Sequence, residues 1–263
     1  AGFLTVEKST DRGATWTASV TIGSSSINTV AMSPFMAVPS GGGLTSVVLI
    51  GATEAVWAVD VTNNAAWIAL DLRTSTQPSN CKAIAVGVSG DQQSQQAQVA
   101  YIQTGALGIA ELHTDGRIVW VGLDREDGLP LTRQGVITAI IDTPDFLYAA
   151  VSAHGLVSSS DLAGDTSESN TSAYPSIYVM NKATRTWHNF YFHTAVNKDI
   201  TALFITSRSN STNRLLFMVG GISDSADVPV PYSINLPSGS ALRYLDTIVA
   251  ASPGYLVTPW FNK

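Results

Sequence analysis

The segment KAIAVGVS, residues 82–89, is the stretch that decides the fold. It combines branched apolar side chains with small ones, a pattern typical of a buried β-strand. The same pattern, centred on an alanine, occurs in three further segments: NTVAMSPF (28–35), VITAIIDT (136–143) and ITALFITS (200–207). Aligned on the alanines at positions 31, 85, 139 and 202, the copies lie 54, 54 and 63 residues apart. The chain is therefore a repeat of strand-rich units.

Each alanine-centred segment is followed by two more apolar runs. The second runs are residues 46–52, 98–105, 146–153 and 214–221, and the third runs are residues 55–61, 108–114, 176–182 and 231–237. A polar turn then leads to a fourth run, which carries Trp67, Trp120 or Trp187 in three of the units. Four strands per unit, repeated every 50–60 residues or so, indicate the blade of a β-propeller.

The sequence thus predicts an all-β fold, a β-propeller of four-stranded antiparallel blades, with about five blades visible in one domain over residues 1–263. Stacked blades bury both faces of every sheet, and crowding at the axis favours small residues in the innermost strand. A β-sandwich would not explain the 54-residue period, and a β-helix needs a shorter one.

The predicted units have the following bounds. We expect a half blade at 1–23, blades at 27–73, 81–125, 135–194 and 199–248, and an exit strand at 254–262. The longer third interval is explained by the polar stretch 158–176, which we expect to be a surface insertion. Since propellers of six to eight blades are common, we treat the chain as open to extension at both ends.

Composition excludes several classes of function. Only 13% of the residues are charged and the net charge is −6, so the chain lacks the basic excess that a nucleic-acid surface needs. No apolar run approaches the roughly 20 residues that cross a bilayer, and we expect no membrane insertion. The single cysteine, Cys81, rules out an internal disulfide framework.

The stretch STDRGATW, residues 9–16, is the most specific motif in the chain. It resembles the Asp-box of sialidase-like β-propellers, Ser/Thr-x-Asp-x-Gly-x-Thr-Trp. The matching residues are Ser9, Asp11, Gly13, Thr15 and Trp16. The resemblance implies a structural turn on the outer side of a blade, away from any axial pocket. Weaker corners of the same kind are DVTNNAAW (60–67), HTDGRIVW (113–120) and NKATRTW (181–187); the last two resemble the corners of kelch-like propellers.

The sequence offers no catalytic set. A hydrolytic sialidase would need three converging arginines, a tyrosine nucleophile with a glutamate partner and an aspartic acid, but the Arg-Ile-Pro phrase of that family does not occur. The alanine-centred segments contain no arginine. Asp142 and Asp145, which flank Pro144 at the end of a predicted inner strand, are the only ligand-contact candidates that we single out. We expect no catalytic residues, no bound metal and no cofactor.

A second resemblance concerns GYLVTPWFN, residues 254–262. It is similar to the exit strand of propeller domains in structural proteins of tailed bacteriophages. The resemblance implies a non-catalytic structural or attachment role in the tail, neck or surface of a virion. The expected location is the virion or the extracellular medium, and the expected partners are other virion proteins, copies of the chain or a host-surface glycan. Two alternatives stay open: a secreted Asp-box propeller that binds or hydrolyses glycans, and a kelch-like scaffold.

Overall fold

The structure is a computed structural model, and the residues that it describes are 4–23, 27–39, 41, 43–72, 81–89, 98–104, 108–123, 137–152, 174–194, 198–206, 213–221 and 229–236. These residues form seventeen β-strands joined by turns, with no helix among them. The all-β class is therefore confirmed. Most of the insertion expected at 158–176 lies outside the described residues, as does the whole exit strand expected at 254–262.

No helix among the described residues has the length and apolar character needed to cross a bilayer.

The strands form five antiparallel sheets, and strands that follow one another in the chain pair with one another in every sheet. Sheet 1 contains β1 (Leu4–Lys8) and β2 (Thr17–Ile22). Sheet 2 contains β3 (Ile27–Ala37), β4 (Leu44–Ala52), β5 (Ala55–Asp60) and β6 (Ala65–Asp71). Sheet 3 contains β7 (Ile84–Val88), β8 (Gln98–Gln103), β9 (Ile109–His113) and β10 (Ile118–Gly122).

The remaining strands follow the same rule. Sheet 4 contains β11 (Ile137–Asp142), β12 (Phe146–Val151), β13 (Ser176–Asn181) and β14 (Thr186–Phe192). Sheet 5 contains β15 (Lys198–Thr206), β16 (Asn213–Gly221) and β17 (Val230–Leu236). Four-stranded antiparallel sheets, as expected from the four apolar runs in each sequence repeat, therefore recur along the chain.

The chain divides into two compact units. Unit 1 comprises residues 1–127 together with 142–145, and unit 2 comprises residues 128–141 and 146–263. Each unit is described by itself below.

In unit 1, sheet 2 packs against a neighbouring sheet on each of its two faces. Successive side chains of a strand point to opposite faces, so adjacent residues of β4 enter different clusters. Leu49 of β4 lies in a cluster with Ile102 and Leu112 of sheet 3. Ile50, the next residue, lies in a second cluster with Ile22 of sheet 1. Each such side chain, when fully buried, contributes about 1.5–3 kcal/mol to folding. Packing between consecutive sheets therefore stabilises unit 1.

Unit 2 is built in the same way from sheets 4 and 5. Tyr148 and Ile177 of sheet 4 share a buried cluster with Leu215 and Phe217 of sheet 5. These residues come from β12, β13 and β16, which are interior strands of their sheets. Each such strand can pack one face on the neighbouring sheet. Consecutive sheets thus pack face to face in this unit as well.

The four repeated alanines occupy equivalent places in the topology. Each lies in the first strand of its sheet, and that strand is an edge strand: β3, β7, β11 and β15 for Ala31, Ala85, Ala139 and Ala202. In unit 1, β3 contacts β7 of the next sheet. In unit 2, the hydroxyl of Thr138 in β11 donates a hydrogen bond to the carbonyl oxygen of Ile200 in β15. The first strands thus contact each other between sheets 2 and 3 of unit 1, and approach each other at Thr138 between sheets 4 and 5 of unit 2.

Candidate functional site

The turn from Ser9 to Trp16 joins β1 to β2 and is closed by its own side chains. Asp11 Oδ1 accepts hydrogen bonds from the backbone N–H of Thr15 (2.9 Å) and from the Ser9 hydroxyl (2.7 Å). Asp11 Oδ2 accepts from the Thr15 hydroxyl at 2.5 Å. The Ser9 hydroxyl oxygen in turn accepts from the N–H of Gly13 at 2.7 Å. Both carboxylate oxygens of Asp11 are thus engaged within the turn.

The turn has a characteristic backbone conformation, and its hydrogen bonds shift the pKa of Asp11. Arg12 and Gly13 both have positive φ, at 61° and 91°, and glycine adopts this region without steric cost. The hydrogen bonds from Thr15, then those from Ser9, lower the pKa of Asp11 from 3.8 to about 2. The ring of Trp16 passes 3.9 Å from the point where a Cβ of residue 13 would lie, and Trp16 is 60% exposed. The arrangement is that of a solvent-exposed, hydrogen-bonded turn.

Equivalent corners join the third and fourth strands of sheets 2, 3 and 4. In each of them a short polar side chain accepts hydrogen bonds from backbone N–H groups two or three residues further on: Asp60, Asp115 and Asn181. Each corner also contains a residue with positive φ: Asn64, Gly116 and Arg185. The next strand of each sheet then carries the tryptophan at position 67, 120 or 187. The corner expected from the sequence is therefore a repeated structural feature.

Asp60 is the buried member of this set, with 1% of its surface exposed. Its carboxylate accepts hydrogen bonds from the Thr45 hydroxyl (2.8 Å), the Asn63 side chain (2.7 Å) and the backbone of Thr62 (2.9 Å). Burial acts to raise the pKa of Asp60, but these hydrogen bonds outweigh it and hold the pKa below 3.8. Asp60 therefore joins the β5–β6 corner to the start of β4.

The two aspartates singled out from the sequence lie in different environments. Asp142 is the last residue of β11 and is half-buried, whereas Asp145 lies in the turn before β12 and is exposed. The carboxyl group of Asp142 packs against Gly87 of β7, where a side-chain Cβ would have no room. Asp142 is thus an integral part of the packing of unit 1. The proposed ligand contact of either residue stays a prediction.

A buried polar network in sheet 3 was missed by the sequence analysis. The Ser89 hydroxyl donates to Glu111 Oε1 at 2.7 Å, and His113 Nε2 lies 3.0 Å from the same oxygen, without an aligned hydrogen bond. His113 Nδ1 lies 3.2 Å from an Nη of Arg117. Since a guanidinium only donates, His113 Nδ1 is the acceptor in this contact.

Glu111 and His113 are two residues apart on β9, so they project from the same face of the strand. Both are almost fully buried, at 1% and 4% exposure, while Arg117 is exposed. The only sequence signal for this network is two polar residues inside the apolar run 108–114, and that signal does not identify their partners. Among the residues described, no group of three His, Cys, Asp or Glu side chains has the arrangement of a metal site.

Cys81 has the environment of a core residue. It is fully buried, and its Sγ lies 2.5 Å from the point where a Cβ of Gly51 would lie. Burial raises the pKa of the Cys81 thiol from 9.0 to about 12. A thiol in this state is neutral at physiological pH and is a poor nucleophile.

The most distinctive surface feature of unit 2 is a group of four aromatic side chains between sheets 4 and 5. We call Tyr191, His193, Phe217 and Tyr232 the aromatic rim. Tyr191 and Phe217 have ring centroids 4.8 Å apart, and Phe217 stacks on Tyr232 at 5.6 Å with an interplanar angle of 13°. His193 meets Tyr232 nearly perpendicular, at 82° and 5.6 Å. Burial, with a further contribution from Tyr232, raises the pKa of Tyr191 to about 12.

Comparison with known proteins adds no family to these observations. No protein-family model matches the chain, and no curated protein matches it significantly.

Proposed function

We propose that this chain is a β-propeller that serves as a non-catalytic structural or attachment component of a virion. The packing of consecutive sheets supports the first part of the proposal. Face-to-face packing in both units and the edge position of β3, β7, β11 and β15 are what radially stacked blades require. The repeated alanines then line the axis, where space is smallest.

The geometry of the Ser9–Trp16 turn supports a structural role for the Asp-box resemblance. A catalytic carboxylate needs an oxygen directed at substrate, but both oxygens of Asp11 accept hydrogen bonds from Ser9 and Thr15. This engagement of Asp11 by its own turn is the observation that carries the structural role proposed for the Asp-box. Asp60 and Asn181 serve their own corners in the same way.

The attachment role is supported by the character of the surface. The chain has few charges for its size, and several large apolar side chains are more than half exposed: Trp16, Val30, Phe35, Leu44, Trp120 and Phe204. Exposed apolar groups are typical of surfaces that meet other proteins. The similarity of residues 254–262 to the exit strand of phage propellers favours a virion as the place of assembly, with other virion proteins or further copies as partners.

Immunogold electron microscopy tests the proposal directly. Antibodies raised against the recombinant chain should label purified virions from the source culture at one defined location, such as tail, neck or surface. The recombinant chain should also release no sugar from a glycan panel. Chain that stays in the supernatant when particles are sedimented would contradict the virion role, and turnover of a glycan would contradict the non-catalytic role.

A further inference from the structure

The aromatic rim presents a flat ring that is supported from behind. Phe217 is 2% exposed and stacks on Tyr232, its cross-strand partner. Tyr232 is nevertheless 36% exposed. The ring of Tyr232 therefore contacts Phe217 while part of its side chain stays exposed to solvent. Contacts with Phe217 and His193 restrain the ring of Tyr232, so little rotamer freedom is lost on binding.

Polar groups stand beside this flat surface. His193 Nε2 and the Tyr232 hydroxyl are hydrogen-bond partners 3.4 Å apart, so both polar groups stand at the same edge of the tyrosine ring. The backbone N–H of His193 donates to the carbonyl oxygen of Pro175 at 2.9 Å, which fixes the start of the loop that carries it. Val230 lies two residues before Tyr232 on the same strand face and is 50% exposed, so it extends the apolar surface.

The chemistry of this surface matches a sugar ring. One face of a pyranose carries C–H groups with a small positive charge, and these pack on the negative face of an aromatic ring. The hydroxyls at the sugar edge need donors and acceptors, which His193 and Tyr232 supply. A nucleic-acid base also stacks on aromatic rings, but a chain of net charge −6 repels the phosphates that accompany it. The same net charge of −6 disfavours an acidic sugar, so a neutral sugar is favoured.

We propose that the aromatic rim binds the face of a neutral sugar ring, with Tyr232 as the stacking platform and His193 as a hydrogen-bonding partner at its edge. This inference rests on the attachment role proposed above, since it names the host-surface partner as a neutral glycan. The site lies within unit 2, on β16, on β17, and on β14 with the residue that follows it.

The test is binding of the full chain to maltotetraose, cellotetraose, chitotetraose and a galactose-terminated tetrasaccharide. Saturation-transfer NMR shows which sugar protons lie against the protein, and calorimetry gives the affinity. We expect at least one oligosaccharide to bind, with saturation concentrated on the C–H protons of one ring face. Tyr232→Leu keeps Phe217 covered but removes the aromatic face, and it should weaken binding roughly tenfold. Tyr232→Phe keeps the face but loses the hydroxyl, so its loss should be smaller.

The matched control is Phe204→Leu, which alters another aromatic residue of unit 2 that is 61% exposed and lies outside the aromatic rim. It should leave binding unchanged, and thermal melts of all three variants should show that each is folded. The inference is overturned if no neutral oligosaccharide binds, if Tyr232→Leu binds as the parent does, or if only sialylated or sulfated glycans bind. Capture of a protein partner through Tyr232 without sugar binding overturns it as well.

The two proposals fail separately. A chain that is found in virions but binds no neutral sugar overturns only the sugar site. A chain that binds neutral sugar through Tyr232 but is not part of virions overturns only the virion role.

Discussion

The carboxyl group of Asp142, at the end of β11, lies directly against Gly87 in β7. The contact leaves no space for a side chain at position 87, although glycine weakens a strand interior in the absence of such a reason. Gly87 stands inside the segment 82–89 that defines the repeat. The smallest residue of this segment is thus the one that leaves room for a carboxylate from a distant part of the chain.

A methyl group at position 87 should therefore destabilise the protein. Gly87→Ala forces the Asp142 carboxyl to move, and overpacking of this kind costs about 1–3 kcal/mol of the free energy of unfolding. Urea denaturation at neutral pH measures the loss. Gly23→Ala is the control, because its Cβ would lie 4.0 Å from the nearest atom, a carbon of Trp57. In the double variant with Asp142→Ala, most of the loss should disappear; an additive result would show that the contact is not the cause.

We expect Asp11 to take up its proton at a lower pH than an ordinary aspartate does. Its pKa is lowered to about 2, so the stabilisation that the carboxylate gives the turn is fully present above 3.8, the ordinary value. It is lost as the pH falls through 3.8 towards 2, because the folded form then takes up a proton. NMR titration of the carboxyl carbon, with the amide protons of Gly13 and Thr15 as reporters, measures the midpoint. A midpoint near 3.8 would mean that the bonds from Thr15 and Ser9 do not persist in solution.

Cys81 should be inert in the folded protein. Burial raises the pKa of its thiol to about 12, and the side chain is fully enclosed, so a disulfide reagent at pH 8 has neither thiolate nor access. Labelling should become rapid and complete in denaturant. Because the chain has a single cysteine, the labelling rate also reports the opening of unit 1. Rapid labelling of the native chain would contradict the packing of Cys81 beside Gly51.

Two leucines on β4 should respond differently to truncation. Leu49 is fully buried between sheets 2 and 3, and Leu49→Ala should cost about 2–5 kcal/mol of the free energy of unfolding. Leu44 begins the same strand and is 63% exposed, so Leu44→Ala should change stability by less than about 0.5 kcal/mol. Guanidinium denaturation compares the two variants. Similar costs at both positions would argue against the face-to-face packing of sheets 2 and 3.

The strands and corners could be predicted because their signals are local. The repeated apolar segments centred on alanine located the first strands at Ala31, Ala85, Ala139 and Ala202, and short polar residues before a tryptophan located the corners. These features depend on residues within one strand or one turn. The all-β class and the four-stranded sheets followed from them.

The contacts that define candidate sites could not be predicted, because they depend on the register between strands. Ser89 and Glu111 are 22 residues apart, and their contact requires the alignment of β7, β8 and β9. Tyr232 meets Phe217 through the pairing of β16 with β17, and His193 through the packing of another sheet. A shift of one residue in any pairing would move these side chains to the opposite face.

Several different amino-acid sequences can form these corners. Asp11 and Asn181 have different side chains, but each places a side-chain oxygen where it accepts a hydrogen bond from a backbone N–H group of its own turn. Successive duplicated units can therefore diverge one substitution at a time while every turn keeps its shape. Such a chain can keep its architecture after the sequence similarity between its repeats has been lost.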